Sequence, residues 1–222
     1  MSLPPEIFPP ALLWLSNLVF IFLLARAIWF APWRRLDHSA AQSNAVVGLT
    51  LGAFVFWQLS PGVRPGLHHH LLGATLLMLM FGREIAICSL SLVLLASMLY
   101  THADLIAFGI NGLVLIALPV FFSELVLRFS QHRLPKHFMI YVLGNGFLCA
   151  ILAMALVVLA TALLLAIFGS YKWSVLFNDY LAFTPVICFA EGFTTGMLIT
   201  SFVAFKPDAV ATFSDEDYLK GK

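Results

Sequence analysis

The sequence predicts an all-α polytopic bundle that lives in a membrane, and three observations carry that reading. Hydrophobic residues make up 61% of the chain and charged residues only 10%, where a soluble domain carries about 25% charged residues. The mean hydropathy is +0.97. Several apolar runs approach or exceed the roughly 20 residues that cross a bilayer as a helix. Lipid offers backbone groups no hydrogen bonds, so each spanning segment must pair its own N–H and C=O groups, and helices follow. At 222 residues the chain reads as one bundle over 1–205, with a charged, solvent-facing cytoplasmic tail over 206–222.

Taken in order, Met1 to Pro10 holds four prolines in ten residues, which stiffens it into an extended lead-in. It has no basic start and no small-residue cleavage site, so it is not read as a signal peptide. The first span runs from about Ala11 to Trp29 and closes on Arg26, Arg34 and Arg35 beside Trp29, Phe30 and Trp33, an interfacial aromatic belt. The second is about Asn44 to Leu59, followed by the turn-forming stretch Ser60 to Gly66. Leu71 to Phe81 is apolar but too short to cross alone, so it is expected as a short helix deep in the bundle, broken by Gly82-Arg83-Glu84.

Ile85 to Leu99 is the fourth span. After the turn Tyr100 to Asp104, Leu105 to Leu127 is the fifth, interrupted by Gly109, Asn111, Gly112 and Pro119. Arg128 to His137 is a basic loop, and Glu124 is placed to pair with Arg128 at i,i+4. The 31-residue run Phe138 to Phe168 reads as one long helix, with Gly144 and Gly146 inviting close packing. Gly169 to Asp179 reads as a polar loop, and Tyr180 to Phe205 as the last span with Glu191 at its middle. A mid-membrane carboxylate is costly unless paired. Cys88, Cys149 and Cys188 all lie in apolar runs and are expected to behave as small hydrophobes. Met78, Met80 and Met98 are read as packing rather than copper ligands.

Counting the short segment as a crossing gives seven segments, N-terminus outside and C-terminus cytoplasmic. Of the 12 basic residues, only Arg64 and Lys172 then lie outside, as the positive-inside rule asks. The same topology gathers the N-terminus, the cluster His68-His69-His70 and the turn holding His102 and Asp104 on the outer face. Histidine is the commonest metal ligand, so His70, His68, His69 and His102 are candidates to capture a cation there. Neighbours on a helix point about 100° apart, so three consecutive histidines share one ion only where the backbone is extended. Asp104 is equally a favoured N-cap for the helix starting at Leu105.

Three stretches resemble a known family, the membrane substrate-binding component of nickel/cobalt energy-coupling-factor transporters. His70-Leu71-Leu72-Gly73-Ala74 with Phe81-Gly82 is similar to its His-Leu-Leu-Gly-Gly…Gly-Pro stretch. Asp104 to Asn111 looks like its Gly-Gly-Leu-x-Ala-Leu-Gly-Ala-Asn. Glu191-Gly192-Phe193-Thr194-Thr195 through Lys206-Pro207-Asp208 resembles its closing Glu-x-x-x-Thr helix and basic-Pro-Asp exit. The resemblance implies metal held by the terminal amine, by a position-two histidine through its amide and imidazole, and by His70. Nitrogen ligands in a square plane suit Ni(II) or Cu(II), and the resemblance favours Ni(II) or Co(II) as cargo, with Cu(II) and Zn(II) as alternatives. Position two is Ser2 here, so Met1, or Ser2 after removal of Met1, would offer only an amine. Asn111 and Glu191 carry over as a structural polar network.

No nucleophile–base pair, phosphate loop or paired zinc motif stands out, so the chain is not read as an enzyme, and it lacks an ATPase motif of its own. The formal net charge of +1 points to no nucleic acid. The expected function is therefore cation capture in a bacterial cytoplasmic membrane for a transition-metal uptake transporter. ATPase and coupling membrane subunits would supply the energy. The alternative is a divergent, non-transporting scaffold or metal-handling interaction protein on the same fold, with a membrane enzyme built on a histidine metal centre ranked third.

Overall fold

The shortest apolar run lies at the centre of the molecule. In a computed structural model describing residues 3–38, 40–59, 62–64, 67–168, 171–214 and 218, Ala74–Phe81 forms helix α4, and all eight of its residues are buried. A helix that is apolar all round belongs in a core, and eight residues reach only about 12 Å, well short of a bilayer.

Around α4 stand α1 (Pro10–Phe30), α3 (Ala40–Gln58), α5 (Arg83–Tyr100), α6 (Leu105–Arg133), α7 (Ile140–Ile167) and α8 (Trp173–Phe205). Among the described residues these six are long and apolar enough to cross a membrane. With α4 they make the seven expected segments, and a six-residue helix α2 (Trp33–His38) links α1 to α3. A small antiparallel ribbon, Gly62–Arg64 against Leu67–His68, joins α3 to the segment leading into α4. The sequence reading had only a turn there.

Two local breaks differ from expectation. Gly109, Asn111, Gly112 and Pro119 do not interrupt α6. Leu113–Ala117 widens into a π turn, which spares the preceding turn the clash of the Pro119 ring. The expected loop 169–179 is helical from Trp173 onward, through a π turn over Leu176–Tyr180 and a 3-10 turn over Leu181–Phe183.

Glycine sets the closest helix contact. A side chain at Gly109 would fall on the backbone of Asn17, and one at Gly112 on the Phe20 ring, so α1 and α6 pack backbone to backbone. Asn17 fixes the register, donating to Ile106 C=O at 2.7 Å and accepting the Gly109 N–H at 2.9 Å.

The short helix α4 borrows both its caps. The first N–H and last C=O groups of any helix lack internal partners. At the N-terminal end Glu191 of α8 accepts the N–H groups of Leu72 and Gly73 at 2.7 and 2.8 Å. At the C-terminal end Ala211 N–H and the Thr212 hydroxyl donate to Met80 and Leu79 C=O, both at 2.7 Å. Ala209, Val210, Phe213 and Tyr218 are buried, and the Phe213 and Tyr218 rings pack on Tyr141 at 5.0 and 5.2 Å. In its described part, then, the segment after Lys206 is not the solvent-facing tail expected from its charge. It closes the bottom of α4.

Beside that end, Arg83 pairs with Glu84 and with Glu124 at 2.9 Å, and Arg128 reaches Glu124 at 2.7 Å. The expected Glu124–Arg128 pair is present, and Arg83 extends it from α5 across to α6.

Candidate metal-binding cavity

His68 ends the ribbon, and 69–73 follows as irregular chain. Along an extended backbone successive side chains point to opposite sides. The three histidines obey that rule: His68 and His70 line one cavity, while His69 turns away and lies flat against Tyr180, ring centroids 4.4 Å apart at 10°.

His70 is buried, with its ring centroid 4.5 Å from that of Trp57. Its Nδ1 lies 3.2 Å from Leu71 C=O, so that nitrogen carries the proton and Nε2 keeps the lone pair, the arrangement by which a backbone carbonyl orients a ligating imidazole. The Trp57 indole N–H donates to Leu72 C=O at 3.3 Å, tying α3 to the same segment. Burial holds the His70 imidazole well below the usual histidine value of 6.5, which keeps it neutral and able to bind metal.

His69 donates from Nε2 to Tyr180 C=O at 3.3 Å, a carbonyl at the change from π to 3-10 turn in α8. Its Nδ1 is buried with no hydrogen-bond partner. Burial lowers its pKa as well.

The cavity measures about 320 Å³ and is bounded by α3, α5, the turn after α5, and α6. Beyond the histidines its wall includes Trp57, Gln58, Ser97, Met98, Tyr100 and Thr101. Gln58 donates to the Ser97 hydroxyl at 2.8 Å. The sequence reading singled out none of these as site residues except Met98, which it took for packing. The signal available was Trp57-Gln58, a polar pair closing an apolar run just before a turn.

Asn111 is fully buried and clasps Leu3 from both sides. It accepts the Leu3 N–H at 2.7 Å and donates to the Leu3 C=O at 3.1 Å. Leu115, four residues along α6, lines the cavity. Asn111 therefore anchors the start of the chain one helical turn from the His70 cavity. Met1 and Ser2 lie outside the described residues.

The remaining candidates separate from this site. His102 is exposed on the turn after α5, in a left-handed backbone at φ 52°, and only its neighbours Thr101 and Ala103 reach the cavity wall. Asp104 caps the next turn by accepting the Ile106 N–H at 3.0 Å. Glu191 is committed to the α4 N-terminus. Among the described residues no three His, Cys, Asp or Glu side chains converge as a metal cluster.

Comparison with known proteins agrees with this architecture. A family model described as the cobalt uptake substrate-specific transmembrane region, CbiM, matches residues 2–209. Two similar solved structures are described as a transition metal transporter and a truncated transition metal transporter. The first is 19% identical, with a TM-score of 0.72, over 92% of this chain and 93% of that one. The second is 18% identical, with a TM-score of 0.72, over 92% of this chain and 99% of that one. No curated protein matches.

Proposed function

The chain belongs to the CbiM family of cobalt-uptake transmembrane proteins, a membrane component of metal uptake and not an enzyme, and on that premise we propose that it captures a divalent transition-metal ion in the His70 cavity. The N-terminus and cavity face outward, residues 206–222 end on the cytoplasmic side, and the membrane is a bacterial cytoplasmic one. ATPase and coupling membrane subunits of the energy-coupling-factor type drive release inward. Ni(II) and Co(II) are the favoured cargo, Co(II) because the family is described by cobalt uptake and Ni(II) because imidazole suits it.

The observation that carries the reading is the seat of His70. It is a buried, neutral imidazole, backed by a carbonyl on Nδ1 and braced on Trp57, beside a cavity. Asn111 supports it by fixing Leu3 against α6 one turn from Leu115 of the cavity wall, and the amine of Met1 or Ser2 is the further ligand proposed. His68 shares the wall, and His69 and His102 rank behind these two as ligands.

The test is metal binding by the purified protein, followed by uptake in cells that also express the ATPase subunits. Wild type binds nickel or cobalt and accumulates it, and His70→Ala does neither. If wild type binds no nickel, cobalt, copper or zinc, the reading falls. One observation favours a second reading: Ser2 stands where the family carries a histidine, so a scaffold that kept the fold and lost the site is the outcome that such a null result would support.

A further inference from the structure

The short helix α4 ties the His70 cavity to the opposite end of the bundle. Between His70 and the residue before α4, Gly73, the chain has little slack, since three residues reach at most roughly 11 Å fully extended. Glu191 grips Leu72 and Gly73 within that stretch. The far end of α4 is held by a strap from the C-terminal segment. Ala211 N–H donates to Met80 C=O at 2.7 Å. The Thr212 hydroxyl gives its one proton to Leu79 C=O at 2.7 Å, so at its 2.7 Å contact with Tyr141 it accepts from the phenol. The Gln42 amide donates to Asp208 C=O at 2.7 Å, and Val210 and Phe213 are buried. The strap thus bridges α3, α4 and α7.

The two ends of α4 differ in what can replace their caps. Glu191 is buried at mid-membrane, where no water substitutes for a lost carboxylate. The strap end lies beside Arg83, Glu84 and Glu124, which are only half-buried. Water reaches that level and can take over the Leu79 and Met80 carbonyls when the strap leaves. Tyr141 also belongs to the π-helical opening of α7, Ile140–Leu148, a kind of turn frequent at functional sites. The strap end is therefore the end built to open.

We propose that the C-terminal strap is a latch on metal affinity. Docked, it holds α4, and through Gly73 and Leu72 the His70 imidazole, in the capture geometry. Its release from Leu79 and Met80 lets α4 shift and lowers the affinity of the cavity. The latch rests on the metal-capture reading and adds a control point at the other end of the bundle. Such coupling is reciprocal: the factor that docking adds to metal affinity, bound metal adds to docking.

The experiment uses the full chain in lipid nanodiscs with nickel chloride or cobalt chloride. Hydrogen exchange is followed in peptides covering 209–214, with and without metal, and affinity is measured by calorimetry. In the wild type, saturating metal is expected to slow exchange there by at least about fivefold, the lower end of usual coupling factors. Thr212→Val combined with Phe213→Ser is expected to raise metal-free exchange in the strap and to lower metal affinity by a similar factor. Thr212→Ser keeps the hydroxyl and is expected to match the wild type. A strap that only stabilises the fold would lower the melting temperature of the double variant and leave metal affinity and protection by metal unchanged. Metal bound with no change in strap exchange, or an undocked double variant with wild-type affinity, overturns the latch and leaves metal capture standing. If the wild type binds neither nickel nor cobalt, capture itself fails and the latch falls with it.

Discussion

The Glu191 carboxylate and the Gly73 N–H meet at 2.8 Å across 118 positions of sequence. With Leu72 N–H on its other oxygen at 2.7 Å, Glu191 holds the segment that carries His70 against the last helix. The cost of placing a carboxylate at mid-membrane is thereby offset where the short helix α4 needs an acceptor.

Replacing Glu191 by Ala therefore loosens the bundle. It leaves the buried Leu72 N–H and the half-buried Gly73 N–H unpaired, at up to about 1–3 kcal/mol each. Thermal unfolding in detergent should show a drop of several degrees for Glu191→Ala. Glu191→Gln keeps an acceptor oxygen and should show a smaller drop. Equal stability of all three proteins would refute the capping role.

His70 and His69 should separate in a binding assay. His70→Ala removes the proposed ligand, and the expected loss of nickel affinity exceeds the roughly 10–100-fold typical of residues that only orient one. His69→Phe keeps a ring against Tyr180 and loses only the bond to the Tyr180 carbonyl, so a loss of about tenfold or less is expected. Calorimetry on the two variants decides, and equal losses would contradict the alternation of the segment.

Acid should weaken the protein through the same residues. His70 and His69 both have folded values below the ordinary 6.5, so between the folded value and about 6.5 the unfolded chain binds more protons than the folded one. Their contribution is fully present above about pH 6.5 and is lost as pH falls below it toward the folded values. Metal affinity follows the folded values instead. It should hold to lower pH than an exposed histidine site before protons compete. Unfolding midpoints and nickel affinity measured from pH 8 down to 5 test both, and in His70→Phe the stability slope should shrink.

Asn111→Ala should free the start of the chain. Hydrogen exchange at residues 3–8 is expected to rise, and nickel affinity to fall with it if the terminal amine takes part. Raised exchange with unchanged affinity would show that the amine is no ligand.

Two glycines offer a packing contrast. Gly109→Ala places a methyl on the Asn17 backbone, which cannot yield, while Gly48 has open space around it. Expression and gel-filtration profile should collapse for Gly109→Ala and stay normal for Gly48→Ala.

Much of this was legible in the chain itself. Composition gave the membrane class, and apolar run lengths gave six spans and a short seventh, because a bilayer imposes one length on every crossing. Leu71 to Phe81 announced α4 by being too short to cross and too apolar to be outside. The i,i+4 spacing announced Glu124 with Arg128. Asp104 as a cap followed from its N-cap preference, and Asn111 and Glu191 as structural polar groups from the family resemblance.

Local pattern failed where the deciding partner is distant in sequence. Charge in the last residues suggested a free tail, but the unpaired carbonyls of Leu79 and Met80 draw Ala211 and Thr212 into the bundle. Three adjacent histidines looked alike, and only the path of the backbone between ribbon and helix sent His69 to Tyr180 and left His68 and His70 facing one cavity. The sequence by itself determined the solvent this protein folds in, its six apolar spans and short seventh, and the residue types available to bind a cation. The tertiary structure decided which of those residues meet, because a cavity wall and the cap of a buried helix are assembled from groups that share no local period.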